Sequence, residues 1–341
     1  MHMADALISP AVGAAMWAAA AGLIGFSSKK VKEEMDDRKV PLMGVLGAFI
    51  FAAQMINFSI PATGSSGHLG GGMILAILLG PYAAFLVMAS VLIVQALFFA
   101  DGGLLALGCN IINLGFFPCF VIYPLIYRKI AGDSSTQGKI MFGSLIGAIA
   151  GLQLGAFGVV LETVFSGISE LPLRTFVLLM QPIHLAIGIV EGLVTAAVVT
   201  FVWKASPEIV SSAPIGKQVN MKKVLLGMII AAAITGGVLS WFASSNPDGL
   251  EWAMFKTAGK EELESHAAMH TSLSAIQEKT AFLPDYGFRK SVSEVESETN
   301  AEPSWPAVDS GTSVSGLVGG IITLLMAVLI GLGIKRRKSM A

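Results

Sequence analysis

The residues best placed to do chemistry are the first two, Met1 and His2. A free terminal amine, the backbone nitrogen of His2 and its imidazole Nδ1 can close two fused chelate rings around one metal ion. Three nitrogens then lie in a plane, and a fourth completes the square-planar, nitrogen-rich site that Ni(II) or Cu(II) prefers. The amine must be neutral and the His2 amide must lose its proton, so binding should release protons and weaken as pH falls. Octahedral, oxygen-seeking Mg²⁺ and tetrahedral Zn²⁺ suit such a plane poorly. His68 is the candidate for the fourth nitrogen. It stands in the loop Phe58-Ser-Ile-Pro-Ala-Thr-Gly-Ser-Ser-Gly67-His68-Leu-Gly-Gly-Gly72, whose glycines let the backbone pass close to a buried amino terminus.

Further polar residues interrupt apolar runs, where they are functional candidates by default. Gln181, His184, Gly188 and Glu191 recur at helical spacing on one face. His184 and Glu191 either orient the metal-binding loop or form an interhelical hydrogen-bond pair. Ser66 and Asn57 are candidates for the same supporting role, and Gln95, Asn110 and Asn113 read as structural. Asp5 either steers the ion or hydrogen-bonds the terminal segment. His266 and His270, an i,i+4 pair in an acidic stretch, read as solvated. Cys109 and Cys119 share one apolar run without metal-type spacing and read as buried thiols. The stretch Gly132–Ile140 fails as a phosphate loop. Five residues separate its glycines, and Ile140 stands where Ser or Thr must hold Mg²⁺.

The elements that must position these residues are membrane helices. The chain has 341 residues, 13% of them charged and 54% hydrophobic, whereas soluble domains carry about 25% charged residues. Its net charge of −1 leaves no electrostatic case for nucleic acid. Apolar runs fall near 10–27, 41–58, 69–79, 81–99, 103–127, 140–161, 174–203, 224–243 and 314–334. Residues 1–27 lack the basic start of a signal peptide and read as a retained helix. Basic residues cluster after the first run (Lys29, Lys30, Lys32, Arg38, Lys39) and between the fifth and sixth (Arg128, Lys129, Lys139). They cluster again around the linker (Lys204, Lys217, Lys222, Lys223) and after the last run (Lys335, Arg336, Arg337, Lys338). Placing these on one side makes that side cytoplasmic, with the amino terminus extracytoplasmic and the carboxyl terminus inside.

An even number of crossings must then separate Lys39 from Arg128, so 69–99 is a hairpin broken at Gly80-Pro81. Its first arm of about 11 residues spans roughly 16 Å, too little for about 30 Å of hydrocarbon. It reads as a half-helix inside the bundle, and the glycine-rich loop before it must line a protein-enclosed cavity. Residues 205–223 form a polar cytoplasmic linker. A second module, 224–341, comprises two membrane helices flanking an acidic extracytoplasmic loop, 244–313, with little periodicity. Gly143, Gly147, Gly151 and Gly155 form a smooth ridge for close helix packing. Ala11, Ala15 and Ala19 serve either internal packing or the docking of a partner helix.

With these residues in hand, the chain resembles the CbiM/NikM family, the substrate-binding (S) components of energy-coupling-factor transporters. The resemblance rests on Met1-His2-Met3, Gly67-His68-Leu69 with Gly70-Gly71-Gly72, Leu79-Gly80-Pro81, Asp101-Gly102-Gly103 and Pro182-Ile183-His184-Leu185, over about residues 1–204. Pro247-Asp248-Gly249-Leu250-Glu251-Trp252 resembles the PDGLE signature of NikN-type accessory subunits, so the two halves resemble a fused NikMN-type chain. The resemblance implies an all-α polytopic membrane protein with a seven-helix S-component bundle and a C-terminal two-helix module. It implies Ni²⁺ or Co²⁺ as transported substrate, held by the Met1 amine, His2 and His68, with the PDGLE-type module favouring nickel. It also implies an integral membrane coupling (T) subunit and two cytoplasmic ATPase subunits as partners in the cytoplasmic membrane of a prokaryote. The chain itself would then be no enzyme. The competing reading is a stand-alone secondary metal permease, which predicts paired inverted repeats that the sequence does not display.

Overall fold

The computed structural model describes residues 2–34, 36, 39–132, 136–169, 171–210, 221–260, 263, 267–289 and 305–339. Among the described residues, six helices are long and apolar enough to cross a membrane: α1 (Pro10–Glu34), α4 (Pro81–Phe99), α5 (Leu107–Ala131), α6 (Gln137–Ser166), α7 (Leu173–Ala205) and α11 (Ser310–Ser339). Between α1 and α4 lie α2 (Val40–Gln54), a two-stranded hairpin of β1 (Phe58–Ile60) and β2 (Ser65–Gly67), and α3 (Gly72–Leu79). The second module adds α8 (Met221–Gly237), α9 (Gly249–Ala258) and α10 (Ala268–Thr280) before α11. The chain is an all-α, multi-pass membrane protein.

The half-helix is shorter than the apolar run that announces it. Gly71 adopts a left-handed conformation (φ +77°) and caps α3, so only Gly72–Leu79 is helical, roughly 12 Å at 1.5 Å per residue. At its far end Gly80 (φ +84°) reverses the chain, and Pro81 opens α4 at its first position, where a missing N–H costs nothing. Pro118 and Pro124 sit inside α5, whose stretch Ile112–Tyr127 is wound in wide π turns. Widened turns are one way a helix absorbs prolines that cannot donate to the ladder.

Small residues set the closest packing. On α7, a Cβ at Gly188 or Gly192 would sit 2.9 Å from the Cα of Ile149 and 2.8 Å from the Cα of Leu145. Main-chain atoms cannot retreat, so α6 and α7 require glycine there. The ridge on α6 faces the other way: a Cβ at Gly147 would come 2.9 Å from Met73 Cε of α3, and one at Gly143 3.2 Å from Tyr127 of α5. Helix α2 is buried from Leu42 to Gln54 because α8 and α11 cover it. The two modules therefore share one core. Lys30, Gly80 and Arg128 line a pocket together. Lys30 lies 20 residues along α1 from Pro10, about 30 Å of helix from the N-terminal segment.

The loop 244–313 corrects the expectation of little periodicity. It holds α9 and α10. Helix α9 starts on a full capping box, in which Asp248 accepts from the N–H of Leu250 and Glu251 while Glu251 accepts from the N–H of Asp248. Such reciprocal capping starts a helix where hydropathy is silent.

Candidate metal centre

The N-terminal segment threads into one end of the bundle and is tied down backbone first. The N–H of Met3 donates to Asn110 Oδ1 at 2.8 Å, and its carbonyl accepts from the N–H of Gly103 at 2.9 Å. Met3 is fully buried. Asp5 Oδ1 accepts from the N–H groups of Leu105 (2.7 Å) and Ala106 (3.0 Å). Burial pushes the Asp5 carboxyl above its usual range, and those N–H groups pull it back. Of the two readings for Asp5, the structure places its carboxylate in the hydrogen-bonding role. Gly103 has no room for a side chain, because a Cβ would run into both the carboxylate and the backbone nitrogen of Asp5.

This anchoring delivers His2 to His68. Their imidazoles stack with ring centroids 4.8 Å apart and planes 17° from parallel. His68 is buried in the loop after β2, and its Nδ1 lies 3.1 Å from the carbonyl of Leu69. A ring nitrogen against a carbonyl carries the proton, so Nε2 is the lone-pair nitrogen. Burial pushes the His68 imidazole down to about 3, which keeps it a neutral donor at physiological pH. Met1 lies outside the described residues.

His2 has a partner that the expected chelate does not provide for. His2 Nδ1, the nitrogen the fused ring requires, lies 2.9 Å from Asp101 Oδ1, while His2 Nε2 is buried without a hydrogen-bond partner. Chelation requires the ring to exchange Asp101 for the metal. Burial alone would raise the Asp101 carboxyl, but the charge of His2 and hydrogen bonds from His2 and Tyr286 outweigh it and hold it at about 2. Tyr286, from the loop of the second module, donates its hydroxyl to Asp101 Oδ2. His2, His68, Asp101, Asp248, Glu251 and Tyr286 line one cavity of about 550 Å³. Among the described residues no group of three or more His, Cys, Asp or Glu side chains is placed to hold a metal ion.

The supporting residues divide. Glu191, buried on α7, accepts from the N–H of Gly70 (2.7 Å) and of Gly71 (3.1 Å), so it grips the loop just beyond His68. His184 Nδ1 lies 2.8 Å from the carbonyl of Met180 on its own helix, and Nε2 is buried without a partner. Gln181 pairs with Gln153 across α6 and α7 instead. Ser66 Oγ donates to the carbonyl of Asn246 at 2.8 Å, and Asn57 lines the cavity. Asn113 donates to Glu162 at 2.6 Å. Both cysteines are free and buried.

His270 corrects the solvated reading. It is 5% exposed, and its Nε2 lies 2.9 Å from the carbonyl of Ile8, fastening α10 to the N-terminal segment. His266 lies outside the described residues, as does part of the rejected phosphate loop. Sequence reasoning missed Tyr286, named Asp248 only as part of the PDGLE signature, and did not give Asp101 a contact with His2. The Asp101-Gly102-Gly103 and Pro247–Trp252 motifs were the available signals.

Fold and site together define a multi-pass helical membrane protein in which a partly buried His2 meets a buried His68 at one end of the bundle. The family model described as the cobalt uptake substrate-specific transmembrane region matches residues 2–209, and the PDGLE domain model matches residues 222–336. The "Putative fused nickel transport protein NikMN" of Archaeoglobus fulgidus is 31% identical over 332 residues, covering 96% of each chain. The fused nickel transport protein NikMN of Rhodobacter capsulatus is 32% identical over 229 residues, 62% of this chain and 64% of that one. A crystal structure of a truncated transition metal transporter matches with a TM-score of 0.53 at 33% identity, covering 60% of this chain and 99% of that one. The chain belongs to the CbiM family of nickel and cobalt transport proteins and carries a PDGLE domain.

Proposed function

We propose that the chain is the substrate-binding component of an ATP-driven energy-coupling-factor importer for Ni²⁺ or Co²⁺, with its fused NikMN relatives favouring nickel. The ion is held by His2 through backbone and imidazole nitrogens, by His68, and by the amine of a chain that begins at Met1. The observation that carries this reading is the stack of the His2 imidazole on buried His68, made possible because Asn110 and Gly103 anchor the neighbouring Met3 from 107 and 100 residues away. Four nitrogens in a plane suit Ni(II), and a neutral His68 keeps the lone pair that a protonated imidazole would lack. The amine and the His2 amide must each give up a proton, so affinity should rise with pH. The expected domains are an S component at 1–204, a linker at 205–223 and an accessory module at 224–341. The amino terminus faces the extracytoplasmic side.

An integral membrane T subunit and two cytoplasmic ATPase subunits complete the importer, and ATP hydrolysis falls to them. Cells expressing the chain with such partners should accumulate radiolabelled nickel, and cells expressing it with ATPases disabled at their phosphate loops should not. Equal accumulation in both would replace this reading with a secondary permease.

Glu191 orients the metal-binding loop through Gly70 and Gly71, with Ser66, Asn57 and His184 around it. A glutamine at 191 keeps the shape but offers one acceptor oxygen where two N–H groups now point. Glu191→Gln should weaken nickel affinity about 10-fold to 100-fold, the range usual for groups that orient a metal ligand. Calorimetric titration of the purified variant checks this, and an unchanged affinity removes Glu191 from the site.

A further inference from the structure

The PDGLE signature lies in the second module, yet its backbone is built into the loop that carries His68. The N–H of Ser66 on β2 donates to the carbonyl of Pro247 at 2.8 Å, and Ser66 Oγ donates to the carbonyl of Asn246. The indole N–H of Trp252 donates to the carbonyl of Thr63, in the hairpin turn, at 3.0 Å. The N–H of Ser244 reaches the carbonyl of Asn57 at 2.7 Å, just before β1. The turn thus takes up the outer edge of the hairpin whose inner edge pairs β1 with β2.

A third body closes the junction. A Cβ on Gly67 would run into Ile187 of α7. A Cβ on Gly249 would lie 2.7 Å from Ile183 Cγ2, 3.1 Å from His184 Cε1 and 3.4 Å from Ile187 Cδ1. Ile187 is therefore seated between two glycine backbones, one from each module. The capping box of Asp248 and Glu251 fixes the direction in which α9 leaves this junction.

We propose that residues 246–252 act as a clamp that positions the His68 loop, with Gly249 and Trp252 as positioning residues for metal binding. This rests on the reading of His68 as a ligand. Each part of the motif then has a task. Pro247 presents a carbonyl to β2, Asp248 and Glu251 set the turn, Gly249 admits Ile187, and Trp252 holds the hairpin tip. A ligand loop rich in glycine has little rigidity of its own, and preorganisation must come from what it packs against.

The test is calorimetric nickel titration of the full purified chain and three variants, with thermal unfolding of each metal-free protein. Trp252→Phe keeps an aromatic ring, though a smaller one, and removes one hydrogen bond, and affinity should fall about threefold to tenfold. Gly249→Val should cost at least about tenfold by driving the turn off α7. In both, the number of sites per chain should hold and the metal-free protein should still unfold cooperatively, Trp252→Phe near the parent's temperature and Gly249→Val lower because overpacking costs stability. His68→Ala is the control. If it loses nickel while Trp252→Phe and Gly249→Val bind within twofold of the parent, the clamp is wrong and the ligand reading stands. If His68→Ala itself binds like the parent, the ligand reading is wrong and the clamp falls with it. Should Gly249→Val not fold, Trp252→Phe alone decides.

Discussion

Replacing His68 by alanine should abolish tight nickel binding and leave the protein folded. The ring is buried, but it stacks on His2 and touches the carbonyl of its own neighbour rather than filling a hydrophobic core. The loop around it is held by other groups: Glu191 on Gly70 and Gly71, Asn246 and Pro247 on Ser66, and Trp252 on Thr63. Truncation therefore removes a donor nitrogen with little loss of packing. Loss of an orienting group at a metal site costs about 10-fold to 100-fold. Loss of a ligand should exceed the upper end of that range, so affinity should fall by more than about 100-fold. Titration calorimetry beside a melting curve checks both halves of the expectation. A variant that melts early and binds poorly would instead mean that His68 is structural.

Gly103→Val should be nearly as damaging from a position that touches no metal. The N–H of Gly103 holds the carbonyl of Met3, and its Cα lies against Asp5. A side chain there must push the N-terminal segment outward, and His2 moves with Met3. Overpacking of this kind costs about 1–3 kcal/mol of stability, and the displaced segment should lower nickel affinity by at least about 100-fold. The companion change Asp5→Ala should not restore it, because the backbone nitrogen of Asp5 is also in the way. Rescue by Asp5→Ala would show that only the carboxylate was obstructed and that the segment seats without the close backbone approach.

What the sequence made legible was whatever hydropathy and proline control. The apolar runs near 81–99, 140–161 and 174–203 correspond to α4, α6 and α7, and Gly80-Pro81 marks the turn between the half-helix and α4. The glycine ridge at 143–151 was legible too, since four-residue spacing makes one smooth face, although the main-chain approaches to α6 come from Gly188 and Gly192 of α7. The second module was harder. Helices α9 and α10 are short and polar, so hydropathy does not announce them. A local capping box starts α9, whereas α10 is held non-locally, by His270 on Ile8 and by Gln277 Nε2 on the carbonyls of Ala96 (2.9 Å) and Gly102 (2.8 Å).

The site shows the same division. Met1-His2 and His68 stand out because unusual chemistry at a chain start and a histidine among glycines are local signals. The grip of Glu191 on Gly70 and Gly71 spans about 120 residues, and helical spacing on α7 revealed only that a carboxylate faced inward. Asp101 and Tyr286 meet across 185 residues and two modules. No local pattern announces that pair. The hairpin of β1 and β2 was likewise hidden, because three-residue strands need the second module's turn along their outer edge.

The central claim is that the metal sits on a chelate made by the start of the chain together with His68. Its most direct test is nickel titration of protein beginning at Met1 against protein carrying a few residues before it. The extension removes the free amine at that position and leaves His2, His68 and the whole bundle in place. The account predicts one tight site per chain in the first protein and none in the second. Equal affinity in both would contradict it, and the ligands would then have to be sought among the other buried polar groups, His184 and Glu191 first.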